Sequence, residues 1–472
     1  GLTIPEFYNL SNTTNPLTGS NSLQERRTAS AYGTLDIEAL KFLYANFTGR
    51  YDKSSTLPLA NNAYFYPSAG LSAVLSDALH LPQAISFLKA RASWAKVNTG
   101  FVNAQDPYAH MLTYAIGSKW NNIPSVVWPD SSITPDLIPS TVESAEYGVV
   151  VGLLRNRINI DATYFRNKEY NGFTTVRQSE ASGYTGVVQN ANVYVRKGWE
   201  FVLSGTPVVN HNFKWETTFN FSNSHVWLKK ATDPESEGFV DNIKEGDRND
   251  RIFISYSQTA DGRPIFNSNG SLASDANPHF FGYGDSKWIY GWQNAFTYKN
   301  IGLSFSFDGR LGGLIYSTTN QKMWWGGAAI ETANSFRDDA IAGKNTYVAP
   351  GVVIKDGSVT YDRRGEIVTD TRQYEENTTA VNYISFMQSD AGHALNNYFY
   401  YSGTYLKMRE LVLSYNIPGN WTKGIFKGAS VSFIGNNLFI LSKLPNVDPD
   451  AESDNLQTPS VRSLGFNINL KF

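Results

Sequence analysis

The chain closes on Ser460, Val461, Arg462, Ser463, Leu464, Gly465, Phe466, Asn467, Ile468, Asn469, Leu470, Lys471 and Phe472. Within this stretch Leu464, Phe466, Ile468, Leu470 and Phe472 alternate with Gly465, Asn467, Asn469 and Lys471, so an extended strand carries every large apolar group on one face. A strand with one apolar face and one Asn/Lys face suits a barrel wall standing between lipid and a wet lumen. Much of the chain upstream repeats the pattern.

Composition is compatible with that reading. The 472 residues carry 14% aromatic and 17% charged side chains, a net charge of -2 and a mean hydropathy of -0.33. A membrane helix needs about 20 consecutive apolar residues, and no stretch of the sequence approaches that. A membrane strand needs only about 9 to 11, half of them facing a polar interior, so average hydropathy hides barrels. The 27 Tyr, 28 Phe and 11 Trp suit interfacial girdles. The absence of Cys removes disulfides and thiolate metal sites, and near-neutral charge argues against nucleic acid as a partner. Residues 1–23 are polar and turn-rich rather than signal-like, which reads as a mature or truncated start.

Working back from the end, the alternation marks thirteen strands, at residues 26–38, 41–53, 62–78, 85–98, 145–153, 158–164, 191–206, 213–227, 288–298, 301–307, 398–416, 426–441 and 460–472. Connections after the odd-numbered strands are short, whereas those after the even-numbered ones run from residues 54–61 up to residues 314–397. This alternation is that of an outer-membrane barrel with periplasmic turns and long extracellular loops, and it places the C-terminus at the periplasmic face. Thirteen is odd, and an odd number of antiparallel strands does not close up-and-down. The expectation is therefore an incomplete barrel that begins inside an extracellular loop.

Several segments then carry a family resemblance. Tyr405-Leu406-Lys407-Met408-Arg409-Glu410-Leu411, Leu413-Ser414-Tyr415-Asn416-Ile417-Pro418, Gly435-Asn436-Asn437-Leu438-Phe439 and Asp448-Pro449-Asp450-Ala451-Glu452 resemble the C-terminal end of the SusC/RagA family of TonB-dependent outer-membrane transporters of Bacteroidota. Gly49-Arg50-Tyr51-Asp52-Lys53, Leu88-Lys89-Ala90-Arg91-Ala92-Ser93, Asn277-Pro278-His279-Phe280 and Phe307-Asp308-Gly309-Arg310-Leu311-Gly312-Gly313 are similar to motifs met earlier in that family's barrel, in the same order. The resemblance implies an all-β transmembrane antiparallel barrel in the bacterial outer membrane, with residues 1–472 as the C-terminal part, about 13 of about 22 strands. It implies import of oligosaccharides or oligopeptides with a SusD-like surface lipoprotein and the TonB complex, and no cofactor. The plug and the first strands have no counterpart in this sequence, so a separate polypeptide or a segment outside this chain is expected to supply them.

Catalytic patterns are weak by comparison. His80, His110, His211, His225, His279 and His393 form no HExxH and have no thiolate neighbours, and no phosphate-cradling Gly-rich loop is present. The chain reads as a non-enzyme; a passive porin-like channel or a secretion-associated barrel is the alternative, and an all-β hydrolase lacks a convincing carboxylate pair. Asp448, Asp450, Glu452 and Asp454 sit at spacing two without the Gly of a calcium loop, a weak metal candidate beside the reading as a solvated turn. Asp241, Glu245, Asp247 and Asp250 interleave with Lys244, Arg248 and Arg251 as a salt-bridged loop. The candidates for cargo or partner contact are Trp324 and Trp325, followed by Gly326-Gly327, and Trp120 and Trp128, whose indoles either stack on a ligand or pack within their loops. Arg91, Asp161, Glu200, Glu216 and Arg409 are expected to face the lumen.

Overall fold

The computed structural model describes residues 2–14, 23–99, 108, 110–118, 121, 123, 125–233, 236–391, 397–421, 426–450 and 454–472. Thirteen antiparallel strands follow one another in a single sheet: β1 (Thr28–Ala39), β2 (Leu43–Ser54), β3 (Ala63–Val74), β4 (Ile85–Thr99), β5 (Ser140–Leu153), β6 (Ile158–Arg177), β7 (Gly186–Val209), β8 (Phe213–Lys230), β9 (Trp288–Tyr298), β10 (Ile301–Leu311), β11 (Tyr405–Ile417), β12 (Gly428–Ser442) and β13 (Ser463–Lys471). A three-residue strand, Ser131–Ile133, lies parallel to the start of β7. All thirteen strands expected from the alternation are present. No helix among the described residues is long and apolar enough to cross a membrane.

Register carries the two faces across the sheet, with local bulges such as those between Gly205 and Val208 and between Met408 and Glu410. Residues directly opposite in an antiparallel pair share a face, so Ala92, Tyr147, Tyr164 and Trp199 form one outward row and Arg91, Gly148, Thr163 and Glu200 the adjacent lumenal row. The same bookkeeping puts Phe433 and Phe466 outward and Ser432 and Asn467 inward. Outward rings lie against one another, as in Trp199 and Phe201 at 5.7 Å, Phe201 and Phe221 at 4.7 Å, and Trp215 and Phe296 at 5.8 Å. Phe466 and Ile468 are 79% and 67% exposed, which a water-soluble sheet would not tolerate along a whole face and a lipid-facing wall requires.

Two differences from the sequence reading have local causes. β6, β7 and β8 overrun their expected ends to 20, 24 and 18 residues, because above the lipid the alternation turns polar on both faces while the backbone ladder continues. β11 begins at Tyr405 rather than 398. Tyr400–Ser402 pairs instead with Leu314–Tyr316, and Gly403 lies against the backbone of Gly312 and Gly313, where it breaks the strand. The hairpin between β5 and β6 turns on Leu154, Arg155 and Asn156, all at positive φ and without a glycine.

The buried apolar clusters among the described residues are not in the wall, where only scattered residues such as Val195 and Leu228 are buried. The three clusters lie between residues 256 and 387, in the connections after β8 and β10, which fold together as one extracellular head. Ile265–Phe266 from the first connection pairs in parallel with Val352–Asp356 from the second, and Tyr256, Phe266 and Leu272 pack with Ala349 and Phe386. Arg364 pairs with Asp247 and Arg251 with Glu366 across the same seam; Arg248 with Asp250 adds to the salt-bridged loop expected there.

The face assignment makes a sharp test. Phe201→Arg places a charge toward the hydrocarbon and is expected to cost about 2–4 kcal/mol of barrel stability if it lies at the midplane, whereas Val202→Arg, one residue on and lumenal, is expected to be nearly neutral. Comparing the heat-modified gel shift of the two variants checks this; equal losses would contradict the assigned faces.

Candidate functional site

Two surfaces are open to a ligand: the lumenal face of the wall and the head above it. On the wall the structure joins two of the expected lumenal residues directly. Arg91 on β4 forks onto both carboxylate oxygens of Asp161 on β6, at 2.7 and 3.1 Å, and donates to the Thr163 hydroxyl at 2.6 Å. Glu216 is held by Lys214 at 2.7 Å. Glu200 and Glu410 face the lumen with no ion pair among the described residues. Glu216 and Glu410 flank a recess of about 350 Å³ completed by Thr218, Gln293, Ser304 and Ser306.

Arg409 belongs to a larger network that ties an extracellular loop to the wall. Its guanidinium forks onto Asp308 with two contacts of 2.7 Å and reaches Asp450 at 2.5 Å. Lys407, only 2% exposed, bonds Asp448 at 2.7 Å, Asp450 at 3.3 Å and the Ser460 hydroxyl at 2.8 Å. The Arg409 hydrogen bond holds the Asp450 carboxyl well below the usual carboxylate range against the opposing effect of burial, with Tyr405 and Lys407 adding to it. For Asp448, burial pulls upward but the hydrogen bonds from Lys407 and Ser460 outweigh it, so this carboxyl is also lowered. Arg310 extends the latch to the carbonyls of Gly403 and Pro449.

The acidic run 448–454 is thereby committed to protein groups. Asp448 and Asp450 face Lys407 and Arg409, and Asp454 accepts from Ser317 and Thr319 at the start of the helix Thr318–Trp325. Glu452 lies outside the described residues. Among those residues no group of three or more His, Asp or Glu is arranged to hold a metal ion. Sequence reading overlooked Lys407 and Asp308 as members of this network; two basic residues flanking one position of a membrane strand, Lys407 and Arg409, were the available signal.

The tryptophans separate. Trp324 packs against Tyr383, Met387 and Ala340 inside the head, while its neighbour Trp325 is 51% exposed. Trp128 is 52% exposed and sits 5.5 Å from Tyr114 and 5.7 Å from Tyr184, forming an aromatic surface shared by the connections after β4 and β6. Trp120 lies outside the described residues, as does His393. His279 is buried and stacked on Tyr361 at 5.1 Å; burial lowers its proton affinity, Asp275 opposes that and Arg372 adds to it.

Against known proteins, residues 3–252 match the family model described as TonB dependent receptor-like, beta-barrel. The TonB-dependent receptor P3 of Formosa agariphila is 22% identical over 96% of this chain and 46% of its own length. The TonB-dependent receptor SusC of Bacteroides thetaiotaomicron is 22% identical over 93% of this chain and 43% of its own length. Among solved structures, a chain of the RagAB peptide transporter superposes with a TM-score of 0.70 at 17% identity, over all of this chain and 51% of that one. The chain thus spans about half the length of the relatives it matches.

The latch predicts a graded response. Replacing both carboxylates, Asp448→Asn with Asp450→Asn, strands the buried Lys407 ammonium and is expected to cost about 3–5 kcal/mol; Lys407→Met leaves Asp450 with Arg409 and Asp448 with Ser460 and is expected to cost less. Because both carboxyls are lowered in the fold, their contribution is present at neutral pH and is lost as pH falls below the ordinary value of 3.8. Protease nicking of residues 443–462, followed against pH and in both variants, checks the order and the sign.

Proposed function

The chain belongs to the TonB-dependent receptor-like β-barrel family of the bacterial outer membrane, a family of transporters rather than enzymes, and from that premise we propose that residues 1–472 form the C-terminal wall and head of an importer of SusC/RagA type. One observation carries the reading: a wall of thirteen strands, open at β1 and β13, superposes along its whole length on half of a chain described as belonging to a peptide transporter. About nine further strands and a plug complete the barrel in this reading, since a lumen of about 22 strands is too wide to stay sealed without one. TonB drives release of the plug from the periplasmic side, and a SusD-like lipoprotein captures an oligopeptide or oligosaccharide above the head.

The head suits that role physically. It has its own apolar core and is tied to the wall through the connection after β12, whose Asp448 and Asp450 are latched by Lys407 and Arg409 and whose Asp454 accepts from Ser317 and Thr319 of the head, so it holds a fixed surface over the lumen rather than a set of independent loops. Trp325 and the cluster of Trp128, Tyr114 and Tyr184 are the contact residues of this proposal, for cargo or for the lipoprotein; Trp324 supports Trp325 from within. Aromatic rings give large contact area at low entropic cost.

The test is affinity purification of the tagged protein from its native membrane, with uptake of labelled oligopeptides and oligosaccharides by the parent cells. A co-purifying surface lipoprotein and energy-dependent uptake of one cargo class are expected, with Trp128→Ala plus Trp325→Ala reducing uptake by about tenfold or more. Uptake that persists without an energised inner membrane would overturn the importer reading in favour of a passive channel.

A further inference from the structure

Above the outward aromatic row of Tyr147, Tyr164 and Trp199, the outer surface of the barrel changes character within one residue pair. The next outward row is Trp94, Ala145, Arg166, Lys197 and His225, and the row beyond it is Lys96, Glu143, Lys168, Val195 and Trp227. These side chains point away from the lumen, so neither cargo nor plug meets them. Counted from the periplasmic ends of β4, β5, β6 and β7, the change falls after about ten residues, the length at which a tilted strand clears the hydrocarbon. The cations therefore stand at headgroup height on the extracellular leaflet.

The surface there is concave. A groove of about 670 Å³ is lined by Arg166, Lys168, Lys229 and Lys230, with the Trp94 indole at its edge. None of the four cations has an ion pair among the described residues; Lys168 lies 4.9 Å from the Tyr170 ring, and Lys197 nearby lies 4.4 Å from that of Trp227. The two carboxylates of the groove are engaged by uncharged donors: Glu143 accepts from the Trp94 indole at 3.0 Å and Glu245 from the Ala231 backbone at 2.8 Å. Four cations facing two occupied carboxylates leave a net positive pocket, and the guanidinium of Arg166 offers the fork that suits a phosphate.

We propose that this outward groove binds the phosphate-bearing headgroup of an outer-leaflet glycolipid. The cations meet the phosphate, and the Trp94 edge and the aromatic row beneath it, Tyr147, Tyr164 and Trp199, lie against the sugar and the upper acyl chains. Basic side chains beside a membrane surface attract anionic headgroups, and interfacial indoles fix the depth at which they do so. The bound lipid forms part of the outer surface of the wall between β4 and β8, below the head.

The experiment is native mass spectrometry of the intact, detergent-purified membrane complex titrated with diphosphorylated lipid A, with the same lipid after phosphatase treatment, and with inorganic phosphate. The complex is expected to retain the phosphorylated lipid at least about tenfold more tightly than the dephosphorylated one, and Arg166→Gln with Lys168→Gln and Lys230→Gln to abolish that difference. Lys299→Gln, in the turn at the periplasmic end, is expected to leave it unchanged, and heat-modified migration of both variants verifies that the barrels are folded. Equal retention of the two lipids, or a triple variant that binds like the parent, would overturn the proposal. Displacement of the lipid by inorganic phosphate at comparable concentration would overturn the assignment to a lipid headgroup.

Discussion

Hydrocarbon offers no partner for a peptide N–H or C=O, so every strand that crosses it must be hydrogen-bonded on both sides. In this structure that constraint is met from β2 to β12 by an unbroken antiparallel ladder, and it is unmet at the outer edges of β1 and β13. Because thirteen antiparallel strands leave β1 and β13 running in the same direction, joining them directly would need a parallel seam in an otherwise antiparallel wall. The proposal of further strands rests on this constraint, beside the finding that the chain spans about half the length of the relatives it matches.

Once the ladder is fixed, the two faces are fixed with it, and the division of labour follows. Lipid takes the role that a protein core plays elsewhere, which is why Phe466 and Ile468 stay exposed while the buried apolar residues gather in the head. The wall above the lipid is then free to become polar on both faces, outward with Arg166 and Lys168 and inward with Arg196 and Glu169, and it continues as a collar that supports the head. The connection after β12 joins these parts: Lys407 and Arg409 of β11 hold its Asp448 and Asp450, and its Asp454 accepts from Ser317 and Thr319 of the head. The network lies where a wall strand leaves the membrane, and the two carboxylates that Lys407 binds come from 41 and 43 residues further along the chain.

Legibility followed the range of the interactions. The strands could be read because alternation is local: Leu464 to Phe472, or Trp199 to Leu203, declare their faces without any neighbour. The ends of β6 and β7 could not, because above the lipid the backbone pairing continues after the hydrophobic signal has stopped. The core of the head was hidden for the opposite reason. Phe266 and Phe386 meet 120 residues apart in sequence across two connections, with no shared period. Spacing also suggested a turn or a cation loop for Asp448 and Asp450, whereas their partners are protein cations supplied by β11. Trp324 and Trp325 look alike in sequence, and the helix sends one inward and leaves the other exposed.

The central claim is that β1 and β13 are open edges awaiting other strands. The chain has no cysteine, so paired substitutions on the lumenal face, Thr34→Cys in β1 with Gly465→Cys, Asn467→Cys or Asn469→Cys in β13, can be oxidised in the native membrane without background. A disulfide forms only where Cα atoms approach within about 7 Å. The account predicts that none of these pairs cross-links within the chain; efficient formation of any one would show the thirteen-stranded sheet closing on itself and contradict it.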